Sequence, residues 1–225
     1  LNSQFTVVVD AGHGGKDPGN TGNGYLEKKI ALSIALKLGK KLEDNGVKVV
    51  YTRKSDVFVN LFERANIANS SNAQLFISIH CDSHTSQAYG AGTFVLGLHA
   101  NQRNFEVAKK ENSVIFFEED YINKYEGFDP NNPESVIGLT LMQEEYLDQS
   151  IVAASYIQNS FVNRLKRRNR TVKQAGFIVL KYTYMPSVLV ETGFLTNNSE
   201  GAYLNSGRGQ NEMADAIASA VLEYK

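Results

Sequence analysis

The chain holds one cysteine, Cys81, among 225 residues. That excludes an intrachain disulfide and any cysteine-rich zinc cluster, and it leaves the compartment open. An excess of one charge is also missing. The 23 Lys and Arg against 24 Asp and Glu leave a net charge of −1, which removes the global basic field of a nucleic-acid or anionic-membrane binder. The longest apolar runs last only a few residues, short of the roughly 20 that a bilayer span requires. No internal repeat, low-complexity tract or signal-peptide pattern appears. The first residue is Leu rather than Met, so any export signal is expected outside this sequence. What remains, 42% hydrophobic and 21% charged, suits one globular domain over residues 1–225 with a substantial core, expected as a monomer.

Apolar patterning predicts the order of elements. Phe5–Val9, Val47–Tyr51, Leu75–Ile79 and Gly92–Leu98 read as strands. Between them, Ile30, Ile34, Leu38 and Leu42 recur at helical spacing up to the Asn45-Gly46 stop, and Leu61–Asn72 reads as a second helix. Strand–helix alternation implies an α/β fold with a largely parallel sheet and helices on both faces. Near the end, Phe177–Leu180 and Ser187–Val190 read as strands and Gln210–Tyr224 as an amphipathic helix. Residues 104–135 are charged and loop-like. After them Asn132 suits an N-cap with Pro133 at the first helical position, opening a long helix whose stripe runs Ile137, Leu141, Leu147, Ile151, Ala154, Phe161 and Leu165. The basic run Lys166-Arg167-Arg168-Asn169-Arg170 then complements the dipole at that helix end and stays solvated.

Chemistry concentrates where strands end. Val7-Val8-Val9 drives into Asp10-Ala11-Gly12-His13-Gly14-Gly15, and Leu75–Ile79 delivers His80 in the same way. Either histidine alone reads as an ordinary loop residue; the matched pair points to a metal. With Glu27 at the start of the first helix they form a His₂Glu set, which leaves a fourth tetrahedral position open on zinc. Such a site lowers the pKa of a water to roughly 7 and needs an unligated carboxylate to move protons. Glu191, at the end of Ser187-Val188-Leu189-Val190, fits that role. Cys81 is expected to be buried rather than ligating, because strand neighbours face opposite ways.

The segments Asp10–Gly15, Glu27, Ser78-Ile79-His80 and Pro186–Asn197 resemble the motifs of zinc-dependent N-acetylmuramoyl-L-alanine amidases, the cell-wall hydrolases that act on peptidoglycan. The resemblance covers about residues 5–98 and 172–224. It implies a three-layer sandwich around a six-stranded, mostly parallel sheet. It also implies one zinc ion per chain on His13, Glu27 and His80, with Glu191 as the catalytic base and then acid. The reaction implied is hydrolysis of the amide joining N-acetylmuramic acid to L-alanine, in wall remodelling or daughter-cell separation. An enzyme of this kind is exported, to the periplasm or the wall. Cys81-Asp82-Ser83-His84 departs from the asparagine and alanine usual after the second histidine. Asp82 is expected to orient an imidazole, and His84 and His99 to lie at the surface.

The stretch from Asn104 to Asn163 is long for this family, as in relatives that act at the division septum. A regulatory insertion at about 104–150 is therefore expected, with Glu118, Glu119, Glu144 or Glu145 as candidates to cap the zinc until a protein activator intervenes. Each of these also reads as part of a solvated acidic face. The run Val114-Ile115-Phe116-Phe117 reads either as core or as a docking surface. Two other functions compete: a zinc carboxypeptidase, for which Arg53 or Arg64 would bind the terminal carboxylate, and a non-catalytic wall-binding module.

Overall fold

The structure is a computed structural model and describes residues 4–137 and 144–225. Six strands form one sheet: β1 (Thr6–Ala11), β2 (Lys48–Tyr51), β3 (Leu75–Asp82), β4 (Ala91–Leu96), β5 (Asn169–Ala175) and β6 (Ser187–Phe194). Their spatial order is β2-β1-β3-β6-β4-β5. Every neighbouring pair is parallel except β4 and β6. The expected sandwich is what forms. β1, β3 and β6 are buried along their whole length, which is why they read as near-continuous apolar runs instead of alternating ones.

Alternation along these strands sorts the core into two layers. Val7, Val9, Ile77, Ile79, Val188 and Val190 pack against α1 (Glu27–Asp44) and the last helix (Gly207–Tyr224), together with the helix Leu147–Leu165. Val8, Phe76, Phe94 and Leu189 face the opposite layer. That layer contains α2 (Leu61–Ser70) and α3 (Gln102–Asn112). The remaining helices in chain order are α4 (Tyr121–Lys124), α5 (Leu147–Leu165), α6 (Ile178–Lys181), α7 (Asn198–Asn205) and α8 (Gly207–Tyr224). Because side chains alternate, Asp10, Ser78, His80 and Glu191 all project toward the α2–α3 layer with Val8, Phe76 and Leu189.

Four sequence expectations fail, each for a physical reason. Phe177–Leu180 is not a strand: Ile178–Lys181 is one helical turn, and the run is apolar because every residue in it is buried. A short buried apolar run has no periodicity to tell helix from strand. The strand is instead Asn169–Ala175, an edge strand whose polar pattern hid it. It absorbs the end of the basic run, whose members do not all stay solvated. Lys166 does bond a carbonyl at the helix end, Asn163 O, at 2.8 Å, but Arg167 is ion-paired to Glu200.

The charged middle is not a loop either. Asn101 caps α3, its side chain accepting from the Asn104 N–H at 2.9 Å, and Phe105, Val107 and Ala108 supply a buried face. Among the described residues the expected long helix is not continuous. Asn132 does cap Pro133, but that turn is 3-10 through Val136; Ile137 is exposed, and the helix that carries Ile151, Ala154 and Phe161 opens at Leu147 after a second 3-10 turn, Glu144–Tyr146. Leu141 lies outside the described residues.

Candidate metal centre

His13 follows β1 in the left-handed region, at φ 61°. The turn is tight because Gly12 runs against the other imidazole; a Cβ there would stand 2.4 Å from the His80 ring. Gly19, at φ +67°, leaves room in the same way for Glu27 and His13, each 2.7 Å from where its Cβ would be. Glu27 opens α1, where a carboxylate also complements the helix dipole. Its Oε1 accepts from the Cys81 N–H at 2.8 Å and its Oε2 from the Asn20 N–H at 2.8 Å. Backbone donors on two different segments thus hold both oxygens.

These three side chains meet, and a fourth joins them. Glu111, from the last turn of α3, places Oε2 2.8 Å from His80 Nδ1 and 3.2 Å from His13 Nε2. Glu27 Oε1 lies 3.2 Å from His13 Nε2 and 3.3 Å from His80 Nδ1, and the two ring nitrogens are 3.2 Å apart. All four residues are buried. Four donors at zinc–ligand distances in a tetrahedron stand about 3.3 Å from one another; the five separations given above run from 2.8 to 3.3 Å, and all four donors lie within 4.8 Å of one another. Glu111 Oε2 has no hydrogen-bond partner; it faces His80 Nδ1 and His13 Nε2. A borderline-soft divalent ion with nitrogen and carboxylate donors suits this set.

The imidazoles are oriented from behind. His13 Nδ1 donates to Asp17 Oδ2 at 2.7 Å, which turns the Nε2 lone pair inward. His80 Nε2 donates to Ser78 Oγ at 3.0 Å, and Ser78 donates to Asp10 Oδ2 at 2.6 Å. Asp10 is fully buried and receives Arg64 Nη1 at 2.7 Å and Thr52 Oγ1 at 2.6 Å. Burial pushes its pKa up, but Arg64 and these hydroxyl donors outweigh burial and leave it below the ordinary value. Asp82 therefore does not orient an imidazole as expected; it is bound to Arg103 at 2.6 Å. The test of the arrangement is Asp17→Asn, which should weaken zinc affinity by about 10- to 100-fold. Competition with a chromophoric chelator measures it, and undiminished affinity would remove Asp17 from the support.

Electrostatics agree with a cation-binding point. Burial opposes charge on either imidazole, yet the two carboxylates hold His80 up to about 10 and His13 well above its ordinary value. Burial likewise opposes charge on the carboxylates, and the imidazoles overcome it, drawing Glu111 down to about 2 and Glu27 well below the usual range. Glu191 behaves oppositely: burial first, then Asp82 and Glu111, raise it well above normal. Both of its oxygens are buried without a hydrogen-bond partner. In the β3–β6 ladder it pairs with His80, one strand spacing of about 4.8 Å away on the same face.

Other expectations sort cleanly. Cys81 is buried, its Sγ 3.3 Å from Thr192 Oγ1. His84 is exposed and bonded to Ser86, whereas His99 is half-buried, edge-on to Phe105 at 5.2 Å. None of the four acidic candidates reaches the centre: Glu118 binds Lys124 and Tyr125, and Glu119, Glu144 and Glu145 are exposed. Glu111 takes the place foreseen for them. Its signal was present in the sequence, since it extends the Val107–Ala108 face by one turn from the Asn101 cap. Val114 and Ile115 are core, while Phe116 and Phe117 are exposed on the wall of a 460 Å³ cavity that opens onto His13, Glu27 and Glu111. Arg53 and Arg64 are buried, both on backbone carbonyls and Arg64 on Asp10 as well, so neither serves a carboxypeptidase.

A family model described as N-acetylmuramoyl-L-alanine amidase matches residues 7–223. The chain is 34% identical over 223 residues to the amidase AmiA of Escherichia coli, covering 97% of this chain and 75% of the relative. Among solved structures it resembles the amidase AmiC2 of Nostoc punctiforme, with TM-score 0.74 and 30% identity over 99% and 97% of the two chains. It also resembles the CwlD amidase from Clostridioides difficile in complex with the GerS lipoprotein, with TM-score 0.72 and 27% identity over 98% of each. No helix among the described residues is long and apolar enough to cross a membrane.

Proposed function

As the chain belongs to the N-acetylmuramoyl-L-alanine amidase family, we propose that it is a zinc enzyme held at rest by one of its own carboxylates. Its reaction is hydrolysis of the amide between N-acetylmuramic acid and L-alanine in peptidoglycan. The observation that carries the zinc assignment is the close convergence of His13, Glu27, His80 and Glu111 donors, all within 4.8 Å of one another, with one carboxylate oxygen left unpartnered. Zinc, when bound, supplies a Lewis acid that makes water nucleophilic near neutral pH and polarises the scissile carbonyl.

The protein's own groups do the rest. His13, Glu27 and His80 are the working ligands, preoriented by Asp17, Ser78 and the backbone donors of Cys81 and Asn20. Glu191 accepts a proton from the attacking water and delivers it to the departing alanine nitrogen, so that C–O forms, C–N breaks and the amine leaves neutral. A carboxyl whose pKa is raised by burial is suited to both halves of that transfer.

Glu111 would be a fourth protein ligand to the ion, and four protein ligands would make a closed site of the structural kind, with no position left for substrate or water. The segment at about 104–150 is then the regulatory insertion. α3 and the 3-10 turn Ser113–Phe117 after it are fastened at several points: Arg103 to Asp82 at 2.6 Å, Lys110 to Ser83, and Lys16 Nζ to Phe117 O at 2.6 Å. Asn112 adds buried bonds to Gly176 O at 2.7 Å and from the Ile178 N–H at 2.9 Å. A protein activator would have to compete with these contacts, and the exposed Phe116 and Phe117 are the apolar handle beside them. The substrate lies in the cell wall, so the working location is the periplasm or the wall itself.

Digestion of purified wall with the zinc-loaded protein tests the reading. Intact stem peptides bearing a new alanine amine are expected. Release of single terminal residues would indicate a carboxypeptidase, and zinc-loaded protein that binds walls but cleaves nothing after removal of Glu111 would leave only a binding module.

A further inference from the structure

A second and larger cavity, about 820 Å³, lies over the far edge of the sheet between α3 and β5. Its wall carries Arg103, Arg168, Arg170 and Lys173 against one carboxylate, Asp82. This is a local excess of positive charge on a chain whose net charge is −1. Arg103 is matched by Asp82. The other three form no ion pair among the described residues, and residues 1–3 and 138–143 contain no acidic side chain. Aromatic rings support them instead: Arg168 over Tyr89 at 5.0 Å, Arg170 over Phe194 at 5.2 Å and Lys173 over Phe94 at 4.9 Å. Cations held in place by rings and lacking a counter-ion are ready for an incoming anion.

The cavity's position ties it to the reaction. β6 carries Glu191 and runs between β3, which bears His80, and β4. Gly92 of β4 is the register partner of Glu191. Its missing side chain makes room for Lys173, whose Nζ lies 3.2 Å from where a Gly92 Cβ would stand. The ammonium thus reaches across β4 on the Glu191 side. Resting on the amidase reading above, Glu191 must protonate the leaving nitrogen, so the peptide that begins at that nitrogen starts beside Glu191. The metal ligands fill one flank, and the basic cavity opens on the other.

We propose that this cavity is the subsite for the peptide half of the substrate, with Lys173, assisted by Arg170, binding a carboxylate of that peptide. From β6 to β5 is two strand spacings, about 10 Å, which an extended peptide covers in about three residues. The recognised carboxylate therefore belongs to one of the first three residues counted from the leaving amine. The subsite selects acidic stems over stems whose carboxylates are masked as amides, because a neutral amide leaves the half-buried Lys173 and Arg170 unpaired.

Two soluble muropeptides that differ only in free or amidated stem carboxylates test it, together with calorimetric titration of the free acidic stem peptide. The zinc-loaded protein should prefer the free acid by about tenfold in kcat/KM, roughly 1.4 kcal/mol. Lys173→Met should erase that preference through KM and abolish peptide binding, while Lys173→Arg keeps both; Arg170→Gln carries the same expectation more weakly if the methionine variant fails to fold. Equal turnover of the two substrates by the unaltered protein, or a Lys173→Met protein that still binds the acidic peptide, overturns the subsite. If neither muropeptide is cleaved even when Glu111→Ala is introduced, the amidase reading fails on its own, and the titration still decides whether an acidic peptide binds here.

Discussion

Glu191→Gln is expected to lower kcat by about 10²- to 10⁴-fold, the usual contribution of a positioned acid–base group, while the protein still takes up one equivalent of zinc. Glutamine keeps the shape and removes the proton traffic. Glu191 stands beside His80 in the ladder without a hydrogen bond to anything, so no structural partner is lost with its charge. The stability effect has the opposite sign from the activity effect. A carboxyl whose pKa is raised by folding contributes stability below its unfolded value and loses it as pH rises through the folded value. The glutamine variant should therefore melt no lower than the parent, and its relative advantage should grow toward alkaline pH. Measured together, unimpaired turnover would remove Glu191 from the reaction, and a lowered melting point would show that it serves the fold instead. A group that is costly to ionise yet retained marks a site kept for chemistry over stability.

Glu111→Ala should raise hydrolysis of soluble muropeptides at least about tenfold, as expected when a resting state favoured by ~1.4 kcal/mol is removed. His13, Glu27 and His80 still hold the ion, so zinc content should stay at one per chain. The variant also deletes the unpartnered Oε2 and opens the wall shared with the 460 Å³ cavity. Steady-state assay beside metal analysis separates the outcomes. An unchanged or lower rate at full zinc occupancy would make Glu111 a supporting ligand and leave α3 without an inhibitory role. Deletion of residues 111–132 is a coarser form of the same experiment, because it also removes Asn112, Ile115 and Tyr125 from the core.

Particular residues show how far the sequence reached. The strands β1, β3 and β6 are legible because parallel strands buried on both faces leave uninterrupted β-branched runs. The same runs end in His13, His80 and Glu191, so their chemistry could be read where the hydrophobicity stops. Glu27 is legible through its place at a helix start. β5 was not, since an edge strand needs few apolar residues, and Phe177–Leu180 nearby offered a stronger but misleading apolar run.

The local sequence by itself determined which side chains could carry the reaction and on which kind of element each would sit, because strand ends and helix starts are set by short-range patterning. Only the tertiary structure decided what stands around them. Asp17 rather than Asp82 bonds an imidazole, Glu111 rather than its acidic neighbours joins His13, Glu27 and His80, and the cations of β5 line the cavity toward Glu191. Those relations depend on how α3 lies across the sheet and on which strand borders which. Strand order and helix docking follow from packing of distant surfaces, to which no spacing along the chain is a guide.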